Sequence, residues 1–222
     1  MLRAVLAALW ISATPLAAGA TADCQTLPGN LPFFYDLYTF RGEGGRTAIV
    51  AAYAIPTGDL RKKKEEGCVR YDIVVSLVLA DTAVGSVTRL DDSVTVRMTR
   101  TPPRDQLLRT HLEVHAQPSA STVQRVIMSD VVEPGFGQLY EGAFPIPDYT
   151  GSQLMLSDVA ISESGVEGSW RRGSVALALL PTGLLRQGFF DLYYEIYNLP
   201  AGHTYSTEIT ICLLYTSPSP RD

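Results

Sequence analysis

Across most of this chain the side-chain chemistry changes at every second residue, and that period confines it to β-structure. Residues 93–101 set Val94, Val96 and Met98 against Thr95, Arg97 and Thr99. Residues 71–80 place Ile73, Val75, Leu77 and Leu79 on one face, with Val74 and Val78 on the other, as a central strand would. A period of two matches the β-pleat, in which successive side chains leave opposite faces. Further strands are predicted over residues 33–40, 47–55, 107–116 and 123–132, with turn chemistry at Pro56-Thr57-Gly58-Asp59. Convincing helical stripes are missing, so residues 60–66 and 104–108 are each expected to form a helical turn at most.

Pro145-Ile146-Pro147-Asp148-Tyr149 reads as a linker. Beyond it, strands are predicted over residues 154–161 and 174–180, the latter ending at Pro181-Thr182-Gly183. A last hairpin is expected to pair residues 189–197 with 205–211 around Leu199-Pro200-Ala201-Gly202-His203. A Leu-Pro-x-Gly turn followed by Tyr205 has the chemistry of a tyrosine corner, whose hydroxyl satisfies a backbone group a few residues upstream. Short strands at regular spacing predict an all-β chain of tandem immunoglobulin- or fibronectin-like antiparallel β-sandwiches, the second truncated. The expected boundaries are a leader at 1–22, a first sandwich at 23–149, a second at 150–211 and a non-native tail at 212–222.

Both ends carry signals of another kind. Arg3, an apolar run from Ala4 to Ala18 and small residues around Ala20 and Ala22 make a secretory signal peptide. The run is shorter than the roughly 20 apolar residues that a membrane span needs, so no transmembrane segment is expected after cleavage. Asp23 before Cys24 argues against lipid attachment, which wants a small residue there. Residues 212–222 resemble the translation of a sequencing-library adapter, and the natural chain is expected to continue past Ile211. With Cys212 set aside, Cys24 and Cys68 remain, an even pair that reads as a disulfide in an oxidising compartment; two free thiols are the alternative.

The net charge of −5 lacks the basic footprint of a nucleic-acid binder. Arg61-Lys62-Lys63-Lys64 is followed at once by Glu65-Glu66 and reads as a solvated loop tip. One cluster has metal-ligand types. On a strand, His111, Glu113 and His115 share a face, and they are a weak candidate for an open zinc site. Their spacing along a strand is about 7 Å, wide for three ligands on one ion, and a polar, solvated strand face is the alternative. A nucleophile elbow is absent from the sequence. Neither Asp91-Asp92 nor Asp158 with Glu163 makes a convincing glycosidase pair, so an enzyme is not expected, nor a cofactor. Tyr193, Glu195 and Tyr197 also share a face. They form a possible binding face that could stack on sugars or on a partner domain, or else a set of cross-strand packing contacts.

Leu156-Ser157-Asp158-Val159, Tyr193-Tyr194-Glu195-Ile196-Tyr197-Asn198-Leu199 and Tyr205-Ser206-Thr207-Glu208-Ile209 give the second block a family likeness. It resembles the β-rich region of bacterial proteins named for a GWxTD motif, a motif that does not itself occur in this chain. The resemblance implies an exported or envelope-associated β-module and no particular reaction. The expected function is a non-catalytic β-sandwich module of the bacterial envelope, periplasmic, outer-membrane-associated or extracellular. Its expected partner is another protein or a domain of the same chain beyond residue 211. The alternative is a carbohydrate-binding or accessory region of a secreted enzyme.

Overall fold

Thr47 to Pro56 is an apolar run without alternation, and the fold is arranged so that both of its faces are covered. The computed structural model describes residues 31–133, 136–184, 189–202 and 204–210, and over these the chain is all-β. Strands are numbered in chain order. β2 (Thr47–Pro56) lies between β1 (Phe34–Arg41) and β6 (Leu107–Ala116) in an antiparallel three-stranded sheet. Its odd residues Ile49, Ala51, Tyr53 and Ile55 enter one apolar cluster, while Ala48, Val50 and Ala52 enter another. A strand buried on both faces has no polar side to show, which is why it lacks the alternation of its neighbours.

The first cluster is the core of a β-sandwich. A five-stranded antiparallel sheet faces the three-stranded one. It comprises β3 (Lys63–Glu65), β4 (Cys68–Asp81), β5 (Val87–Met98), β7 (Thr122–Asp130) and β8 (Gly137–Ala143). β4 pairs with β5 and β7 on its two sides, the central position expected for it. Its odd residues from Val69 to Leu79 meet Leu108, Leu112 and Val114 of β6 and Val126 and Met128 of β7. The observed strand at 107–116 coincides with the expected one, and β5 starts six residues before its expected start at Ser93. Residues 60–66 form no helix. A 3-10 turn at Thr57–Asp59 precedes them, and β3 folds back on β4 with Lys63 opposite Arg70.

The second block lies against the outer face of the three-stranded sheet. Its strands make three two-stranded antiparallel pairs. β9 (Met155–Leu156) pairs with β14 (Ile196–Tyr197), β10 (Ala160–Glu163) with β13 (Phe190–Tyr193), and β11 (Trp170–Arg172) with β12 (Val175–Leu177). Trp170, 1% exposed, is the centre of the second cluster, stacked on Phe40 at 5.3 Å and edge-on to Tyr193 at 5.6 Å. Leu177, Leu179 and Ala160 complete it over Ala48, Val50 and Ala52. Gly168 lets the chain pass here, because a Cβ at that position would lie 1.9 Å from the carbonyl carbon of Leu177.

Two expectations about this block are corrected. The hairpin of 189–197 with 205–211 does not form. The first half splits at Tyr194-Glu195 into β13 and β14, which take different partners, and described residues 204–210 are in no strand. The turn chemistry survives, however, and the Tyr205 hydroxyl donates to Pro200 O at 2.5 Å. The segment 145–149 is no free linker either. Ile146 and Tyr149 are buried, Ile146 bridges to Ser119, and the Thr47 hydroxyl donates to Pro147 O at 2.6 Å.

Candidate functional site

The alternation that put Tyr193, Glu195 and Tyr197 on one face is correct, and the face is turned inward. Arg172, from β11, grips the Glu195 carboxylate with both arms of its guanidinium, Nε to Oε1 at 2.7 Å and an Nη to Oε2 at 3.0 Å. The Tyr193 hydroxyl donates to Oε1 at 2.7 Å and the Tyr197 hydroxyl to Oε2 at 2.5 Å. Burial would raise the pKa of this carboxyl, but the hydrogen bonds from Arg172, Tyr197 and Tyr193 outweigh it and hold it at about 2. The phenols respond in the opposite sense. Burial and the Glu195 carboxylate push Tyr193 up to about 12. A carboxylate with four donors and one counter-charge is fully engaged, and the three residues form a half-buried strut rather than an exposed ladder.

The strut ends on β1, the edge strand of the three-stranded sheet. Thr39 N donates to Asp158 Oδ2 at 2.8 Å, the Thr39 hydroxyl donates to the same oxygen at 2.6 Å, and Asp158 N donates back to Thr39 O at 3.1 Å. Two residues along, Arg41 N donates to the Tyr197 hydroxyl at 2.8 Å and Arg172 donates to Arg41 O at 2.6 Å. Asn198, at φ 61°, uses its amide to reach Gly151 O and Gln153 O while its Oδ1 accepts from Arg41. Ser157 locks the two segments together, its N donating to Glu195 O and its Oγ accepting from Glu195 N. Two of the three segments that carried the family likeness, around Asp158 and around Glu195, therefore meet at one seam and close the β1 edge. Thr39, Arg41 and Arg172 were invisible in the sequence, since nothing local marks an Arg whose partner lies 23 residues away between two other strands.

His111, Glu113 and His115 do share a face of β6, and the second block covers it. Glu113 accepts from Trp170 Nε1 at 2.9 Å and lies 3.2 Å from His115 Nε2. His111 Nδ1 lies 3.3 Å from the Ser169 hydroxyl instead. Burial lowers the His111 pKa, opposed by Glu113 and Asp92, so the ring is neutral near pH 7. The face is half-buried rather than solvated. Glu113 and His115 contact each other while His111 is turned to Ser169, and among the described residues no group of three His, Cys, Asp or Glu is placed to hold a metal ion.

Beside these residues a cleft of about 960 Å³ opens between β6 and the second block. Its floor is Leu107, Leu180 and Leu184, and Arg109 crosses it to form an ion pair with Glu163. Phe34, Val166 and Phe189 stand at the rim, 38%, 45% and 91% exposed. Asp105, Glu167 and Ser169 add polar groups. The size and the mixed lining are those of a ligand-binding groove. No sequence signal located it, because its walls come from segments about 60 residues apart.

Cys68 is half-buried, its Sγ 3.7 Å from Glu65 Oε2. Cys24, its expected partner, lies outside the described residues, as do the other residues of 1–30, His203 and residues 211–222. Among the described residues no helix is long and apolar enough to cross a membrane. Compared with known protein families, with curated proteins and with solved structures, the chain has no significant match.

Proposed function

We propose that this chain is an exported, non-catalytic binding module of the bacterial envelope, related to the β-rich region of GWxTD proteins, and that the cleft along β6 is its binding site. The observation that carries this reading is the contrast between the cleft and every other polar cluster near it. Glu195 is saturated by Arg172, Tyr193 and Tyr197. Glu113 is taken up by Trp170 and His115, and Asp158 by Thr39. These groups hold the two blocks together and leave little for chemistry on a substrate. Among the described residues the cleft combines volume, exposed aromatic rings and two carboxylates, Asp105 and Glu167, without a partner. Export is supported by the leader-like first 22 residues.

Expression with its own leader in a Gram-negative host tests the reading. The expected product is a periplasmic chain whose mass lacks the leader; an unprocessed chain confined to the cytoplasm would contradict it. A second reading, a carbohydrate-binding accessory region, draws on Phe189, whose ring is almost wholly exposed at the rim and free to stack on a sugar. Retention on a panel of envelope polysaccharides, lost in Phe189→Ala, would select that reading.

A further inference from the structure

We propose that the free edge of β6 accepts an extended polypeptide segment as a fourth strand of the three-stranded sheet, with the cleft housing its side chains. The inference rests on the reading of the cleft as the binding site and names what fills it: a segment of a partner protein with alternate apolar residues and at least one Lys or Arg.

The hydrogen-bond phase of β6 comes first. Successive residues of an antiparallel strand turn their N–H and C=O to opposite sides. Thr57 N donates to Gln106 O at 2.8 Å, in register with the β2–β6 ladder, so the even residues of β6 bond to β2. Leu107, Arg109, His111, Glu113 and His115 then point their N–H and C=O outward. The far side of the sheet fixes the same phase independently. Thr39, opposite Ile49, spends its backbone groups on Asp158, so Ile49 turns its own towards Val114 of β6. Among the described residues the five outward N–H and C=O pairs on β6 have no hydrogen-bond partner.

The neighbouring edge is guarded where this one is not. On β5 the N–H of Ser93 is taken by Asp92 Oδ1 at 2.8 Å, a device that discourages strand pairing, whereas among the described residues no side chain takes an outward N–H of β6. Charged side chains stand on both strands, Arg89, Asp91 and Arg97 on β5 and Arg109 and Glu113 on β6. Leu107 of β6 shares its cleft with exposed Phe189 and Val166 of the second block. This ring and these methyls suit the alternate apolar side chains of an added strand, whose main chain would bond to the edge. Charge selects the remainder. Arg109 is paired with Glu163, Arg104 bonds to Gly58 O, and His111 is neutral. Asp105 and Glu167 face the cleft without a partner among the described residues and outnumber Arg104, whose bond to a neutral carbonyl leaves its charge in place, so the net charge is negative and the complement is cationic.

The test is a selection of linear nine-residue peptides displayed on phage against the exported chain, followed by synthesis of the strongest binder. The expected binder alternates apolar residues and carries Lys or Arg. N-methylation of its amides on one edge should weaken binding at least about tenfold, one hydrogen bond's worth. His111→Pro should weaken it about tenfold more than His111→Ala does, since proline removes an outward N–H and no β2–β6 bond. Should the proline variant not fold, hydrogen exchange on the unaltered chain replaces it, with peptide slowing the amides of Leu107, Arg109 and His111. The proposal is overturned by a selection with no enriched clone, or by binding indifferent to N-methylation and without protection at those amides. Occupation of the edge by a second copy, seen as a dimer that peptide does not dissociate, also overturns it. Loss of export would defeat the functional reading while leaving this result standing.

Discussion

β1 and β6 bound the same three-stranded sheet and meet opposite fates. On β1, Thr39 and Arg41 spend their outward N–H and C=O groups on Asp158, Tyr197 and Arg172. On β6, Arg109 and His111 turn theirs away from β2 and have no partner for them among the described residues. An open edge is a template for pairing, and proteins close or blunt edges that have no use. The second block closes one edge with side chains rather than with a strand, and that choice explains its broken geometry. Tyr194 and Glu195 leave the strand path where the carboxylate must reach Arg172. The contrast teaches that the block is built as a seal for β1, and that the gap it leaves over β6 is part of the same construction.

The comparison can be broken from the sealed side. Trp170→Ala removes the centre of the second cluster and is expected to cost about 3–5 kcal/mol, read from denaturant unfolding. Exchange at the Thr39 and Arg41 amides should rise towards that of His111; if it does not, the seal does not depend on the apolar contact. Arg172→Ala leaves the Glu195 carboxylate half-buried without its counter-charge, at a cost of about 3 kcal/mol. The paired variant Arg172→Met with Glu195→Leu should recover part of that loss.

Acid sharpens the same point. The Glu195 carboxyl, near its ordinary value in the unfolded chain, titrates at about 2 when folded. A depressed carboxyl stabilises above its unfolded pKa, so stability should fall as pH drops from about 5 towards 2, by about 2 kcal/mol after allowance for partial solvent screening. The drop should shrink in Glu195→Gln; an unchanged acid limb would assign it to other carboxylates. Asp158→Asn keeps the shape and weakens the bonds to Thr39, and is expected to cost about 1–2 kcal/mol. The smallest effect is the most discriminating. His111→Pro should destabilise by less than Thr39→Pro, since only Thr39 has its N–H bonded to a side chain. Equal melting shifts would mean that the two edges are not energetically distinct.

Strand positions were legible because alternation is local. Residues 107–116 and 71–80 declare their faces in ten residues, and the structure keeps those faces. What covers a face is not local. The same alternation placed Tyr193, Glu195 and Tyr197 together, and only Arg172, on another strand, decides that they are interior. His111, Glu113 and His115 read as polar, and polar residues on an outer face look solvated until Trp170 and Ser169 descend on them. The run at 47–55 carried the one available hint, since a strand apolar on both faces announces a second layer. The cleft had no sequence signature because it belongs to the gap between layers and to no segment.

Trp170 offers one more use. The chain holds two tryptophans, Trp10 in the expected leader and Trp170 in the seam. Protein prepared from residue 23 onward therefore has a single indole, buried against Phe40, with its N–H bonded to a carboxylate. Its emission maximum and its quenching by iodide would report on one event, the second block lifting from the sheet, as a built-in optical reporter that needs no label.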